Sequence, residues 1–185
     1  MVTRLAPPKA TLADLMRTEG KAELIAGRII TYMPTGFLPA KIAGRIYRKL
    51  ADYADIHGGE ALTDGVGFSV PELLSGRESF SPDCSYFTGT LPANRMRFIA
   101  GAPDFAVEVR SEGDYGSAAE LELATKRSDY FEAGTLVVWD VDPVAKVVRK
   151  HRADKSFEEF GVGEQANAEP AVPNWSLSTD WLFRE

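Results

Sequence analysis

The 185-residue sequence has a single cysteine, Cys84, so no intrachain disulfide can form. A reducing compartment, most simply the cytoplasm, is the expected setting. Histidine is almost as scarce. His57 and His151 are the only two, and with one cysteine they make no convincing zinc ligand set. No apolar run is long enough to cross a bilayer, so a membrane partner is not expected. The first ten residues carry charges and two prolines but no apolar h-region, which argues against a secretory leader. There is no G-x-x-x-x-G-K-[ST] loop, no strand-linked G-x-G-x-x-G and no G-x-S-x-G elbow, so nucleotide-cofactor and α/β-hydrolase chemistry lack their usual marks. Positive charge is also short: 21 Lys and Arg stand against 27 Asp and Glu, a net charge of −6. Overall charge therefore gives no reason to infer a nucleic-acid ligand. Any phosphate contact needs a local basic patch, or a cation that offsets carboxylates.

The composition is that of a globular chain, and the length suits one domain with a sizeable core, expected over about residues 12–183. Thr11, with Asp14 three residues on, reads as the cap of a short helix to Arg17. Residues 22–33 read as a hairpin about Gly27. Pro34, Gly36 and Pro39 interrupt the pattern, and an amphipathic helix is expected from Lys41 to Ile56, with Ile42, Ile46, Leu50 and Tyr53 near one stripe. One strand is expected at Val66–Val70, then others at 83–87 and 104–109, with Leu91–Gly101 as a loop. Ser117 and Glu120 match a capping box for a second helix that ends at Gly134. Leu136–Val141 reads as a strand buried on both faces. Lys146–Arg149 and Ser156–Phe160 read as its partners. The order predicts a mixed α/β (α+β) fold with helices packed on a sheet.

Two acids draw attention. Asp83 follows Pro82 at the start of a strand. Glu108 interrupts the apolar run Phe105-Ala106-Val107-Glu108-Val109. A carboxylate in such a strand is costly to bury unless paired or metal-bound, and two on adjacent strands can hold one hard cation. The ordinary alternative, a carboxylate facing solvent or pairing with an arginine, fits the spacing as well. Lys126 lies four residues before Tyr130, so the two share a helix face. It could orient an attacking water or stabilise developing charge, or simply be solvated. Glu23 could reach the same cation or be a surface acid. Glu122, one turn before Lys126, could hold it by a salt bridge. Cys84 reads as a buried, inert thiol. Lys41, Arg45, Arg48 and Lys49 form a basic helix face that suits either phosphates or plain solvation.

Glu23-Leu24-Ile25-Ala26-Gly27, Ser81-Pro82-Asp83, Pro103 through Glu108 to Ser111, Lys126 through Tyr130 to Gly134, and Val138-Trp139-Asp140-Val141-Asp142-Pro143 together resemble the Uma-two family of restriction-endonuclease-like proteins. That family is assigned to the PD-(D/E)XK nuclease superfamily, and the order and spacing agree from about Leu12 to Phe183. The resemblance implies a restriction-endonuclease-like central mixed sheet with flanking helices. It also implies a metal-dependent endonuclease that hydrolyses nucleic-acid phosphodiesters, most simply DNA. The acid pair falls on Asp83 and Glu108, with Mg²⁺ or Mn²⁺ as the metal and the Val109 carbonyl as a further ligand. The superfamily lysine usually sits two residues after the glutamate, where this chain has Arg110. Lys126, on the following helix, matches the migrated lysine, and Glu23 the acid of the N-terminal motif. The partners implied are nucleic acid and a second copy of the chain, as a homodimer. The segment Gly36–Lys41 lacks the family's histidine. The competing expectation is a catalytically silent nucleic-acid-binding or regulatory module on the same fold.

Overall fold

The computed structural model describes residues 9–184; most of the proline-bearing opening segment (residues 1–8) lies outside them. In chain order the elements are α1 (Leu12–Leu15), β1 (Ala22–Ile25), β2 (Arg28–Thr31), α2 (Phe37–His57), β3 (Glu60–Thr63), β4 (Phe68–Ser69), β5 (Ser79–Phe80), β6 (Cys84–Phe87), β7 (Ile99–Ala100), β8 (Phe105–Val109), α3 (Ser117–Glu132), β9 (Val137–Asp142), β10 (Val147–Arg152), β11 (Phe157–Phe160), β12 (Gln165–Asn167), β13 (Ser176–Ser178) and α4 (Thr179–Phe183). The central sheet has six strands in the order β11-β10-β9-β8-β6-β3. Only β8 and β9 run parallel in it, because α3 carries the chain between them and a crossover is what parallel neighbours need.

Strand alternation assigns the two faces. Phe105, Val107 and Val109 of β8, with Val137, Trp139 and Val141 of β9, pack against Ile42, Ile46 and Leu50 of α2 and against the C-terminal segment around Trp175 and Leu182. Ala106 and Val138 point the other way, toward Tyr130 of α3 and toward Phe68 and Phe80 of a small sheet ordered β5-β4-β7. Every residue of β9 is buried, as its near-continuous apolar run predicts for a central strand. Among the described residues no helix is long and apolar enough to cross a membrane.

Several local readings change. Helix α2 begins at Phe37, one turn earlier than the pattern suggests, with Gly36 as its N-cap. Pro39 sits in the first turn, where a missing N–H costs nothing. The expected capping box at Ser117 is not formed: Gly116 is the N-cap and Ser117 already belongs to α3. Glu120 instead turns to Arg110. The strand expected at 66–70 shrinks to β4, and the loop at 91–101 holds β7. The basic face of α2 is partly spent within the chain: Arg45 donates to the carbonyls of Leu182 and Arg184, and Arg45, Arg48 and Lys49 surround the Trp181 ring. The capping box at Thr11 and Asp14 forms as read. The β1–β2 hairpin turns through Ala26 and Gly27, both at positive φ, the geometry whose twist matches a two-residue hairpin.

Candidate active site

Cys84 pairs with Val107 across β6 and β8, and Cys84 faces α2. Asp83, one residue earlier, therefore turns to the α3 face, where Glu108 also points. The Asp83 N–H donates to the Val107 carbonyl at 3.1 Å, and the Val109 N–H donates to Asp83 Oδ2 at 2.8 Å. These two backbone contacts hold Asp83 beside Glu108. Both carboxylates keep some solvent access, with side chains 20% and 16% exposed.

Helix α3 lays Lys126 and Tyr130 over this pair. Lys126 Nζ is 2.8 Å from Glu108 Oε1 and 3.1 Å from Glu23 Oε1. Tyr130 donates its hydroxyl to the same Glu108 oxygen at 2.7 Å, and its ring stacks on Phe80 with centroids 4.1 Å apart. Glu122 is exposed, and among the described ion pairs Lys126 has Glu108 and Glu23 as partners. Glu23, on β1, is fully buried. It accepts from the Ser81 N–H at 3.0 Å, from the Tyr32 hydroxyl at 2.8 Å and from the Arg77 guanidinium. Arg77 in turn pairs with Asp129 of α3 at 2.8 Å. Glu23 thus grips Lys126 from behind.

Sequence reasoning missed Lys21, Arg77, Tyr32 and Asp129. Lys21 Nζ lies 2.6 Å from Asp83 Oδ1 and 2.8 Å from Asp64 Oδ1. Its nearness to Glu23 along the chain was the one available hint. Arg77 reaches Glu23 from a loop and Asp129 reaches Arg77 from a helix, and neither position carries a distinguishing pattern.

The electrostatics follow from this crowding. Burial pushes Glu23 upward, but Lys126 and Arg77 outweigh it and bring its pKa down to about 2. Burial pushes Glu108 up, and Asp83 and Glu23 add to the rise against the pull of Lys126 and Lys21. Burial opposes the charge on Lys126, yet Glu108 and Glu23 raise its pKa, so it stays an ammonium. The Cys84 thiol is buried and pushed up by desolvation, and it is inert.

The arrangement suits a hard divalent cation in its chemistry and charge. Among the described residues the ion pairs form two adjacent sets, Lys21 with Asp64 and Asp83, and Arg77 and Lys126 with Glu23, Glu108 and Asp129, so five carboxylates meet three cations. Among the described residues no three His, Cys, Asp or Glu side chains are grouped to hold a metal by themselves. Mg²⁺, however, is commonly held by one or two carboxylates plus water and substrate phosphate. Of the oxygens in the cluster, those of Asp83 and Glu108 are the solvent-reaching pair on adjacent strands.

Comparison with known proteins bears on the family and the fold. The family model Uma2, described as "Putative restriction endonuclease", matches residues 10–180. A crystal structure from Anabaena variabilis, described as a "putative nuclease belonging to DUF820", superposes with a TM-score of 0.70 at 22% identity, covering 94% of this chain and 97% of the other. That likeness is one of fold: a mixed α/β architecture of restriction-endonuclease-like type. No curated protein matches the chain.

Proposed function

The chain belongs to the Uma2 family, and from that premise we propose that it is a metal-dependent endonuclease acting on DNA, as one domain spanning about residues 12–183 and working as a homodimer. The observation that carries the reading is the meeting of Asp83, Glu108 and Lys126 on one face of the sheet, with Lys126 held as a cation between Glu108 and Glu23. Asp83 and Glu108 would hold Mg²⁺ or Mn²⁺, with the Val109 carbonyl as a further oxygen ligand. Such an ion, when bound, polarises a phosphoryl oxygen and lowers the pKa of water.

The chain's own residues do the rest. Lys126 presents a fixed ammonium at the rim of the carboxylate pair, placed to orient an incoming water and to offset negative charge gathering on the phosphate. Glu23 is a positioning residue: fully enclosed by Lys126, Arg77, Tyr32 and Ser81, it sets where the Lys126 ammonium sits. Tyr130 fixes one Glu108 oxygen through its hydroxyl and leaves the other for the metal. Lys21 neutralises Asp83 while no divalent ion is present.

Isothermal titration of Mn²⁺ into the parent and into the Asp83→Ala and Glu108→Ala variants tests the site, with a supercoiled-plasmid cleavage assay on the same samples. Binding and nicking by the parent, both lost in each variant, are expected. A parent that takes up no Mn²⁺ with plasmid present would favour the silent module instead.

A further inference from the structure

The charged face of the sheet continues past Glu108. In register, Glu108 lies opposite Asp140, Asp140 opposite Arg149 and Arg149 opposite Glu159. Directly paired residues share a face, so this row crosses β8 to β11 beneath α3. Arg149 stands two strands from Glu108, roughly 10 Å away. Beside it opens a cavity of about 330 Å³, walled by Arg127 of α3, by Arg149 and His151 of β10 and by Tyr115 and Phe157.

The acids of this wall are paired and so is its Arg110, whereas Arg127 and Arg149 keep free donors. Asp140 accepts two bonds from Arg110 at 2.7 Å and one from Arg127 at 3.3 Å. Asp142 accepts from the Tyr115 hydroxyl and from the N–H groups of Val144 and Ala145. Each guanidinium carries five donors. Among the described residues Arg127 makes only the 3.3 Å bond to Asp140. Arg149 makes one hydrogen bond, from Nε to Glu159 at 2.8 Å, and its Nη1 stands 3.6 Å from Asp142. His151 contributes a buried Nε2 with no partner. Its pKa is pushed down to about 4, first by burial and then by Arg127, and burial together with Arg110 and Arg149 also lowers that of Arg127. Arg110, Arg127 and Arg149 meet Glu120, Asp140 and Asp142 in the lining, so its formal charges balance, and what the cavity offers an anion is the set of free guanidinium N–H donors on Arg127 and Arg149. At its mouth Phe157 is 58% exposed and stacks on the His151 ring at 5.5 Å.

We propose that this cavity is a nucleotide subsite, in which Arg127 and Arg149 take a phosphate and Phe157 offers its outer face to a base. The inference rests on the nuclease reading for the source of the nucleotide, which is the strand being cut. At roughly 10 Å from Glu108, the cavity would receive a phosphodiester close along the strand to the scissile one. Guanidinium forks suit phosphate oxygens, and an exposed aromatic face accepts any base.

The test measures binding without divalent metal. Fluorescein-labelled duplex and single-stranded oligonucleotides are titrated by anisotropy across a salt series, and dAMP by calorimetry, into the parent, the Arg127→Gln/Arg149→Gln double variant and Phe157→Ala. Near-UV circular dichroism confirms folding, and the exposed Phe157 gives an independent reading if the double variant unfolds. The double variant is expected to bind oligonucleotide about tenfold more weakly, with a salt slope shallower by about two units. Phe157→Ala is expected to weaken the single strand most. Loss of dAMP binding alone, with oligonucleotide binding intact, keeps the phosphate site but assigns it to a free nucleotide. Affinities and slopes equal to the parent's in a folded double variant, or no binding of either probe by the parent, overturn the subsite. Failure of the nuclease reading shows separately, as absent Mn²⁺ uptake by the parent.

Discussion

At the scale of single residues, Glu23 sits deepest in the site. A buried carboxylate survives as an anion only where cations and donors surround it, and here Arg77, Lys126, Tyr32 and the Ser81 N–H do so. Its folded pKa of about 2 lies below its ordinary value of 4.5. The stability this ionisation contributes is complete above pH 4.5 and is lost as pH falls toward 2, an amount on the order of 3 kcal/mol. Urea unfolding of the parent and of Glu23→Gln at pH 7, 4.5 and 3 checks this. The parent's advantage should be largest at pH 7 and shrink at pH 3. A gap that stays constant over that range would remove Glu23 from the acid response.

At the scale of elements, Arg110 joins strand to helix. It leaves β8 two residues after Glu108, and its side chain is only 5% exposed. It clamps Asp140 of β9 and Glu120 of α3. Glu120 stands at the fourth helical position, one past the place a capping box uses, and spends its carboxylate on Arg110 instead. Arg110→Ala leaves Asp140 buried with only Arg127, so a loss of about 3 kcal/mol is expected, read as a fall of roughly 10 °C in Tm. A melt within 2 °C of the parent's, an allowance of roughly half a kcal/mol for a chain of this length, would show that the clamp is not what ties α3 to β9.

At the scale of the whole molecule, charge and surface bear on assembly. With a net charge of −6, the chain cannot hold nucleic acid by bulk attraction, so the contacts proposed for it are local, at the Asp83–Glu108 site and at the cavity beside Arg127 and Arg149. Met33 and Phe37 are 88% and 81% exposed, and Ile30, Tyr32 and Leu38 lie exposed around them. That apolar run between β2 and α2 borders the site through Tyr32, and it is the surface on which the proposed homodimer would close. Sedimentation velocity should find a dimer for the parent and a monomer for Met33→Glu/Phe37→Glu. A monomeric parent at assay concentrations would rule out the homodimer.

The sequence by itself determined the elements whose pattern is strong and local: the amphipathic stripe of α2, the all-apolar β9, the hairpin turning at Gly27, and the alternation that makes Glu108 conspicuous in β8. Hydrophobic periodicity and turn chemistry act within a few residues, so they are legible before folding. Short strands such as β7 and β12 were not, because two or three residues carry no period and form only when neighbours supply the ladder. The same holds for the site. Asp83, Glu108 and Lys126 stood out by type and place, but that Lys126 bridges Glu108 and Glu23, that Lys21 caps Asp83 and that Arg77 ties Glu23 to Asp129 was decided only by tertiary structure. Those partners lie tens of residues apart, and an ion pair depends on distance in space, which no local pattern encodes.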